Sequence, residues 1–146
     1  MPQVNATRNQ STFNYSQVKP FIFNNRFIET KLVNTSSAAA LDVNPFIIVA
    51  QHTTAGTVVP AVGGENSNLP LIVGIAKYPG GSIPASGQLN INVCTKGTID
   101  PSFITLPSGV TWDTAVSSGG KTLRNYMESI GFHFEAATEH TYLDNQ

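Results

Sequence analysis

Apolar residues fall into short strings along this chain, and two of these strings organise the rest. Leu69 to Ala76 is an apolar run of strand length. Gln88 to Thr95 alternates, with Leu89, Ile91 and Val93 on one face and Asn90, Asn92 and Cys94 on the other. That is the two-residue period of a half-buried strand. Tyr78 to Gly87 between them carries two Pro and three Gly, which is loop chemistry. The pair predicts two antiparallel strands joined by an exposed loop, with a turn at Gly97 leading into Thr98–Ile99.

Upstream, Met1 to Gln17 is polar apart from Val4, Phe13 and Tyr15. A segment with so little apolar surface does not offset its ordering entropy alone, so it reads as an arm that is loose in isolation. Lys19 to Ile28 then concentrates Phe21, Phe23, Phe27, Ile22 and Ile28. Asn24-Asn25 reads as a turn, pairing Val18–Phe23 with Arg26–Leu32 as a hairpin. Two roles are open for these aromatics. They fill the core, or Phe13, Tyr15, Phe21, Phe23 and Phe27 anchor the arm in a neighbouring protein by strand addition to a sheet edge. Asn34 to Ala40 reads as a linker.

Pro45 to Ala50 predicts a buried strand, Thr57 to Val62 a short one, Gly63 to Asn68 a surface loop, and Phe103 to Leu106 another strand. Trp112 reads as a lid on the core edge. Thr122 to Ile130 predicts the one helix, with Leu123, Tyr126, Met127 and Ile130 on one stripe and Gly131 placed as a C-terminal cap. Phe132 to Glu135 alternates as a final strand, and the tail from Glu139 is polar. The expected fold is mainly β. It is a small antiparallel β-barrel or sandwich-like domain over 41–146, with one short C-terminal helix and an extended N-terminal arm over 1–40.

The 146 residues set one domain as the prior. Only 12% are charged, about half the usual share, and Asn, Ser, Thr and Gln supply the polar surface instead. That suits a β protein packed against other protein surfaces. With a net charge of −1 and eight scattered basic residues, there is no electrostatic footprint for nucleic acid. No segment has the length of a membrane span. Met1 to Gln10 lacks the apolar core of a secretory signal, so the Asn5-Ala6-Thr7 glycosylation pattern carries no weight. The chain reads as a soluble product of a reducing cytoplasm. Its single cysteine, Cys94, allows no internal disulfide and reads as a free or partly covered strand thiol.

Candidate chemistry is thin. Ala115 to Thr122, AVSSGGKT, fits a relaxed phosphate-binding loop with Ala in place of the first Gly. That loop needs a buried strand before it, and Thr111 to Thr114 makes a poor one. His133 and Glu135 share one face of a strand and, with Glu139 and His140, could offer a metal. The simpler reading is exposed polar residues on an edge strand. His52 reads as a solvated turn residue. Asp100, Asp113 and Glu65 read as turn formers, and no Ser stands in a nucleophile elbow. No enzyme, cofactor or metal is expected.

Pro70 to Ala76 (PLIVGIA), followed by Leu89 to Ile99 (LNINVCTKGTI), resembles the head decoration, or cement, proteins of tailed bacteriophages, the lambda type. In that family a Gly-Ile-Ala strand precedes a spacer and an alternating strand that ends in a Gly turn. Thr122 to Phe132 is similar to the family's short helix leading into a Gly-apolar strand, and Leu41 to Val62 to its opening. The resemblance covers about Leu41 to Glu135. The first forty residues are longer and more aromatic than in the simplest members, and Ala115 to Thr122 is not a family feature.

The resemblance implies a protein without catalysis. It would bind the outer surface of an expanded icosahedral capsid as homotrimers, with the major capsid protein as partner, and brace the shell against internal DNA pressure. Its N-terminal arm would become ordered on the capsid and bridge neighbouring subunits. It would be made in the host cytoplasm and reside on the virion. Two other classes stay open: another virion part (minor capsid protein, head fibre or tail component), and a carbohydrate-binding β-sandwich using an aromatic platform beside Trp112.

Overall fold

A computed structural model of the chain describes residues 20–117 and 120–135. The fold is mainly β, with eight strands and one short helix among these residues. They are β1 (Phe21–Val33), β2 (Leu41–Val43), β3 (Ile48–Gln51), β4 (Thr57–Pro60), β5 (Ile72–Lys77), β6 (Gly81–Ile83), β7 (Gln88–Ile99), helix α1 (Leu123–Ser129) and β8 (Phe132–Phe134). The predicted pairing of β5 with β7 is antiparallel, with Ile75 opposite Cys94 and Ala76 opposite Val93.

β7 is the spine. β1 runs antiparallel along its whole length on one side. On the other side β5 pairs with Asn92 to Cys94, and β8 with Gly97 to Ile99. β5 continues to β3, β3 to β4, and β4 back to β1 at Lys31 and Leu32. The pairings therefore run in a cycle through five strands. Two of them, β1 with β4 and β7 with β8, are parallel, where an antiparallel sheet was expected.

Every strand of the cycle sends a side chain into one interior cluster: Leu32, Val58, Val49, Ala76, Ile91 and Val93. Val43 of β2 and Ile83 of β6 close it as a small paired flap. Burial of a Leu, Ile or Val side chain contributes about 1.5–3 kcal/mol. A second cluster lies on the other face of β3, β5 and β7. There Ile48, Ile72, Ile75, Cys94 and Ile99 meet Leu123 and Met127 of the helix and Phe132 and Phe134 of β8. Thus the central strands are covered on both faces.

This double cover explains why the sequence pattern misplaces Cys94. Asn90 and Asn92 are exposed, but Cys94 on the same face is 0% exposed, because that face passes under the C-terminal layer. Strict alternation signals a face in water only where nothing packs over it.

The hairpin expected around Asn24-Asn25 does not form. β1 runs through these residues as one strand, and Asn24 takes the left-handed conformation at φ 52°. The register with β7 shifts on either side of them, so β1 carries extra residues between Phe21 and Phe23 and between Phe23 and Arg26. The tolerance of Asn for positive φ serves a bulge here rather than a turn. Residues 21–33 therefore belong to the sheet, and the boundary set at residue 40 falls beyond the longest strand. The supposed linker is also anchored, for Asn34 is only 4% exposed.

Smaller differences follow the same logic. The loop Tyr78 to Gly87 contains β6, because Gly81–Ile83 finds β2 as a partner. Leu69–Leu71 is a tight helical turn before β5 begins. Phe103 to Leu106 is not a strand. Pro101–Phe103 forms another tight turn, with the Asp100 carboxylate accepting from Ser102 N–H, and Thr105 makes a single bridge to Ile47. The helix forms as expected, with the Thr122 hydroxyl accepting from Asn125 N–H at 3.2 Å. Leu123 and Met127 are buried and Tyr126 and Ile130 half-buried.

Candidate interaction surface

The aromatics of the N-terminal region separate into different roles. Phe13 and Tyr15 lie outside the described residues. Phe21 packs on the outer core cluster, edge-to-face with Phe46 at 5.9 Å between ring centres. Phe27 lies edge-to-face against Phe21 at 5.2 Å, and the Lys77 ammonium sits over its ring at 5.1 Å. Phe27 nevertheless stays 36% exposed, Ile28 40% and Phe23 59%. Three of the exposed large apolar side chains thus fall within six residues of one strand.

The backbone of that strand is also half-partnered. Among the described residues, β7 pairs with β1 from Phe21 to Val33, whereas β4 reaches it only at Lys31 and Leu32. The far edge of β1 before Lys31 has no ladder partner there. Just beyond Glu29, the Thr30 hydroxyl donates to the Gly56 carbonyl at 2.7 Å. An exposed apolar strand with a free edge is a template for another strand.

The bulge fixes where the flat part of this edge begins. Asn25 Nδ2 donates to the Thr98 carbonyl at 3.1 Å and reaches Cys94 Sγ at 3.7 Å. A further shift lies between Arg26 and Phe27, and from Phe27 onward the register is unbroken to Val33. At the other end, Pro20 is fully buried and its carbonyl accepts from Asp100 N–H at 2.8 Å. Glu135 N–H donates to the Ile99 carbonyl at 2.9 Å. Pro20 and Glu135, the first and last described residues, therefore both lie at the end of β7.

The other sequence candidates are placed as follows. His133 Nε2 and Glu135 Oε1 are 3.5 Å apart on the exposed face of β8, while Glu139 and His140 lie outside the described residues. No group of three or more metal-binding side chains gathers among the described residues. The Gly-rich stretch before the helix has no strand ahead of it. Thr111 to Thr114 folds into turns, with Thr111 N–H donating to Thr114 Oγ1 at 2.9 Å. Trp112 is half-buried against Phe134, with ring centres 5.0 Å apart. His52 Nδ1 accepts from Thr54 N–H at 3.4 Å. A recess of about 150 Å³ is lined by Leu41, Ile47, Pro60 and Leu106 among others, with Asp42 its one titratable residue.

Burial raises the Cys94 thiol pKa above its ordinary value, and hydrogen bonds from Asn25 and to the backbone of Lys96 and Arg26 only partly oppose this. A buried, protonated thiol is a poor nucleophile.

Sequence reasoning missed Asn34. Its side-chain amide donates to the carbonyls of Ala39, Ile83 and Pro84 at 2.9–3.1 Å, and its oxygen accepts from Ser36 N–H. It ties the end of β1 to the flap. In an Asn-Thr-Ser-Ser run nothing distinguishes it from a linker residue. Comparison with protein-family models and with curated proteins finds no match.

Proposed function

We propose that this chain is a non-enzymatic decoration protein that binds the outer surface of a phage head, as trimers, and stabilises the expanded capsid. The observation that carries the reading is the set of exposed apolar side chains on β1, spread over both of its faces. Phe23, Phe27 and Ile28 stand in water in the single chain, directly continuous with a polar segment that carries Phe13 and Tyr15. Such a set is costly to leave uncovered and favours a protein partner. The pattern shared with lambda-type decoration proteins and the low charge of the chain point the same way. The physical logic is avidity, in which weak single contacts add up when a trimer spans several capsid subunits.

Another virion component remains the second reading, because the same side chains would serve it. Trp112 packs on Phe134 rather than standing free as a platform, which weighs against a glycan-binding module.

The test is quantitative mass spectrometry of purified virions together with binding to expanded capsids. A ratio near one copy per major capsid protein supports decoration, and a few copies per particle supports a vertex, fibre or tail part. Removing residues 1–17 is expected to leave a folded protein that no longer binds capsids, and normal binding would overturn the reading. The cut stops short of Pro20, which is part of the fold.

A further inference from the structure

We propose that Arg26 and Lys96, which face each other across β1 and β7, form with Ile28 a docking point for a carboxylate side chain on an acidic protein surface.

The pair is built by the register. Arg26 stands opposite Lys96, and both side chains are exposed. Like charges directly opposite on a ladder destabilise it. Among the described residues, no carboxylate is paired with either of them. Cations elsewhere are compensated: Arg124 has Glu128 at 3.8 Å, and the Lys77 ammonium lies over the Phe27 ring. Only 12% of residues are charged, so solvation of the strand does not demand two cations face to face. The fold keeps an arrangement that works against its own stability, and such departures concentrate where a residue serves a partner.

Ile28 belongs to the same face. Between Arg26 and Phe27 the register shift is taken up by β7, where Thr95 is the extra residue. Its hydroxyl donates to the Arg26 carbonyl at 3.4 Å. β1 therefore alternates without interruption from Arg26, which puts Arg26 and Ile28 on one face and Phe27 on the other. Ile28 stands opposite Val93 of the inner cluster, yet stays 40% exposed. β4 reaches β1 only at Lys31 and Leu32, so the interior face is uncovered at this end. The two cations lie beside that uncovered apolar spot.

The chemistry selects a carboxylate. Residues opposite each other stand about 5 Å apart at Cβ, so an Arg fork and a Lys ammonium converge on one anionic group. A carboxylate there replaces repulsion by charge-assisted hydrogen bonds, with Arg supplying the bidentate geometry. A protein surface fits better than nucleic acid. Binding a phosphate backbone draws on many cations, and this pair sits in a chain of net charge −1. Bases stack on aromatic rings, and the Phe27 ring turns to the opposite face. Ile28 instead suits an aliphatic neighbour of the carboxylate. The inference rests on the capsid reading for which protein bears the acidic surface, and not for the chemistry of the site.

The first experiment uses the purified full chain without capsids, so its failure and the failure of the capsid reading are distinguishable. Amide NMR follows titration with a peptide of alternating Glu and Leu, with its Gln-for-Glu counterpart and with oligothymidylate. The Glu peptide is expected to shift Arg26 to Ile28 and Lys96, with affinity roughly fivefold weaker at about 300 mM than at about 50 mM NaCl. Absent shifts, shifts elsewhere, equal binding of the Gln peptide or stronger binding of oligothymidylate would each overturn the proposal.

Charge reversal separates binding from folding. Arg26→Glu makes an opposite-charge pair with Lys96, so it is expected to melt about 2 °C above the parent and to lose the Glu peptide. Adding Lys96→Glu restores a like-charge pair, and the double variant should melt near the parent and still not bind. If Arg26→Glu melts below the parent, or binds as the parent does, the proposal fails. With expanded capsids, parent binding is expected to weaken about tenfold over the same salt range, and salt-independent binding overturns the acidic partner. If the parent binds no capsids at any salt, the capsid reading fails, and the peptide titration still decides this one.

Discussion

A Cβ atom on Gly97 would stand 2.7 Å from the Cα of Asn25, closer than real Cβ atoms come. Gly97 also holds φ at +130°, a conformation that side chains rarely adopt. The bulge of β1 and the glycine of β7 are therefore one feature built from two strands. Replacing Gly97 by Ala is expected to lower stability by about 3 kcal/mol, from backbone strain of about 1–3 kcal/mol plus the clash. Gly109 has φ +75° and open space around its Cβ position. Gly109→Ala should lose only about 1 kcal/mol, from the left-handed conformation alone. Equal losses in urea melts of the two variants would refute the close-approach account.

Asn34→Ala leaves the buried carbonyl of Ile83 without its amide donor and frees those of Ala39 and Pro84. A buried group left without its partner costs about 1–3 kcal/mol, so a loss of about 2 kcal/mol is expected. Hydrogen exchange should accelerate first at Ile83 to Gly87, where the flap is tied down. A uniform acceleration over the whole sheet would count against a local tie.

Phe21 and Phe23 should behave as opposites. Phe21→Ala removes a ring packed on Phe46 and the outer cluster, and a loss of about 2–3 kcal/mol is expected, below the range for a fully buried Phe. Phe23→Ser should change thermal stability by no more than about 0.5 kcal/mol while weakening capsid binding. If Phe23→Ser melts like Phe21→Ala, Phe23 belongs to the core.

Cys94 gives a pH prediction. Its folded thiol pKa is raised by burial, so the folded chain keeps its proton where the unfolded chain has begun to lose it. Fewer protons are bound in the unfolded state, and stability falls as pH rises. The fall begins near the unfolded thiol range, at about pH 8.5. Cys94→Ala should show a shallower decline than the parent between pH 8 and 10, as roughly that window brackets the thiol range. In the folded parent at pH 8, a thiol reagent should react only as fast as the protein opens.

Legibility differed from element to element. The helix was readable because its stripe, its cap and Gly131 all lie within ten residues or so of one another, a span local signals cover. β5 with β7 was readable because alternation and a Pro/Gly loop coincide. β1 was not, since Asn24-Asn25 suits a turn and a bulge equally, and only the distant partner Gly97 decides between them. Cys94 was misplaced because a layer from Leu123 to Phe134 covers a face that reads as polar. Asn34 was invisible, since its three acceptors lie elsewhere in the chain or on the backbone. The edge of β1 could not be read at all, because which side of a strand lacks a partner among the described residues is a property of topology. Of the residues marked for binding, Phe23 and Phe27 emerge exposed and Phe21 does not.

The pairing of β1 with β7 also bears on how the protein is made. β1 lies near the start of the chain and its partner ends at Ile99. At about 5–20 residues per second, the ribosome needs roughly 3–13 s after Val33 to deliver Ile99. Throughout that interval the Phe-rich strand lacks the complete partner that runs along its whole length, although β4 is finished at Pro60, and contacts so distant in sequence form slowly. The nascent chain therefore presents this Phe-rich strand well before its main partner and pairs it late, so expression yield should depend on chaperone capacity and temperature more than the final fold would suggest.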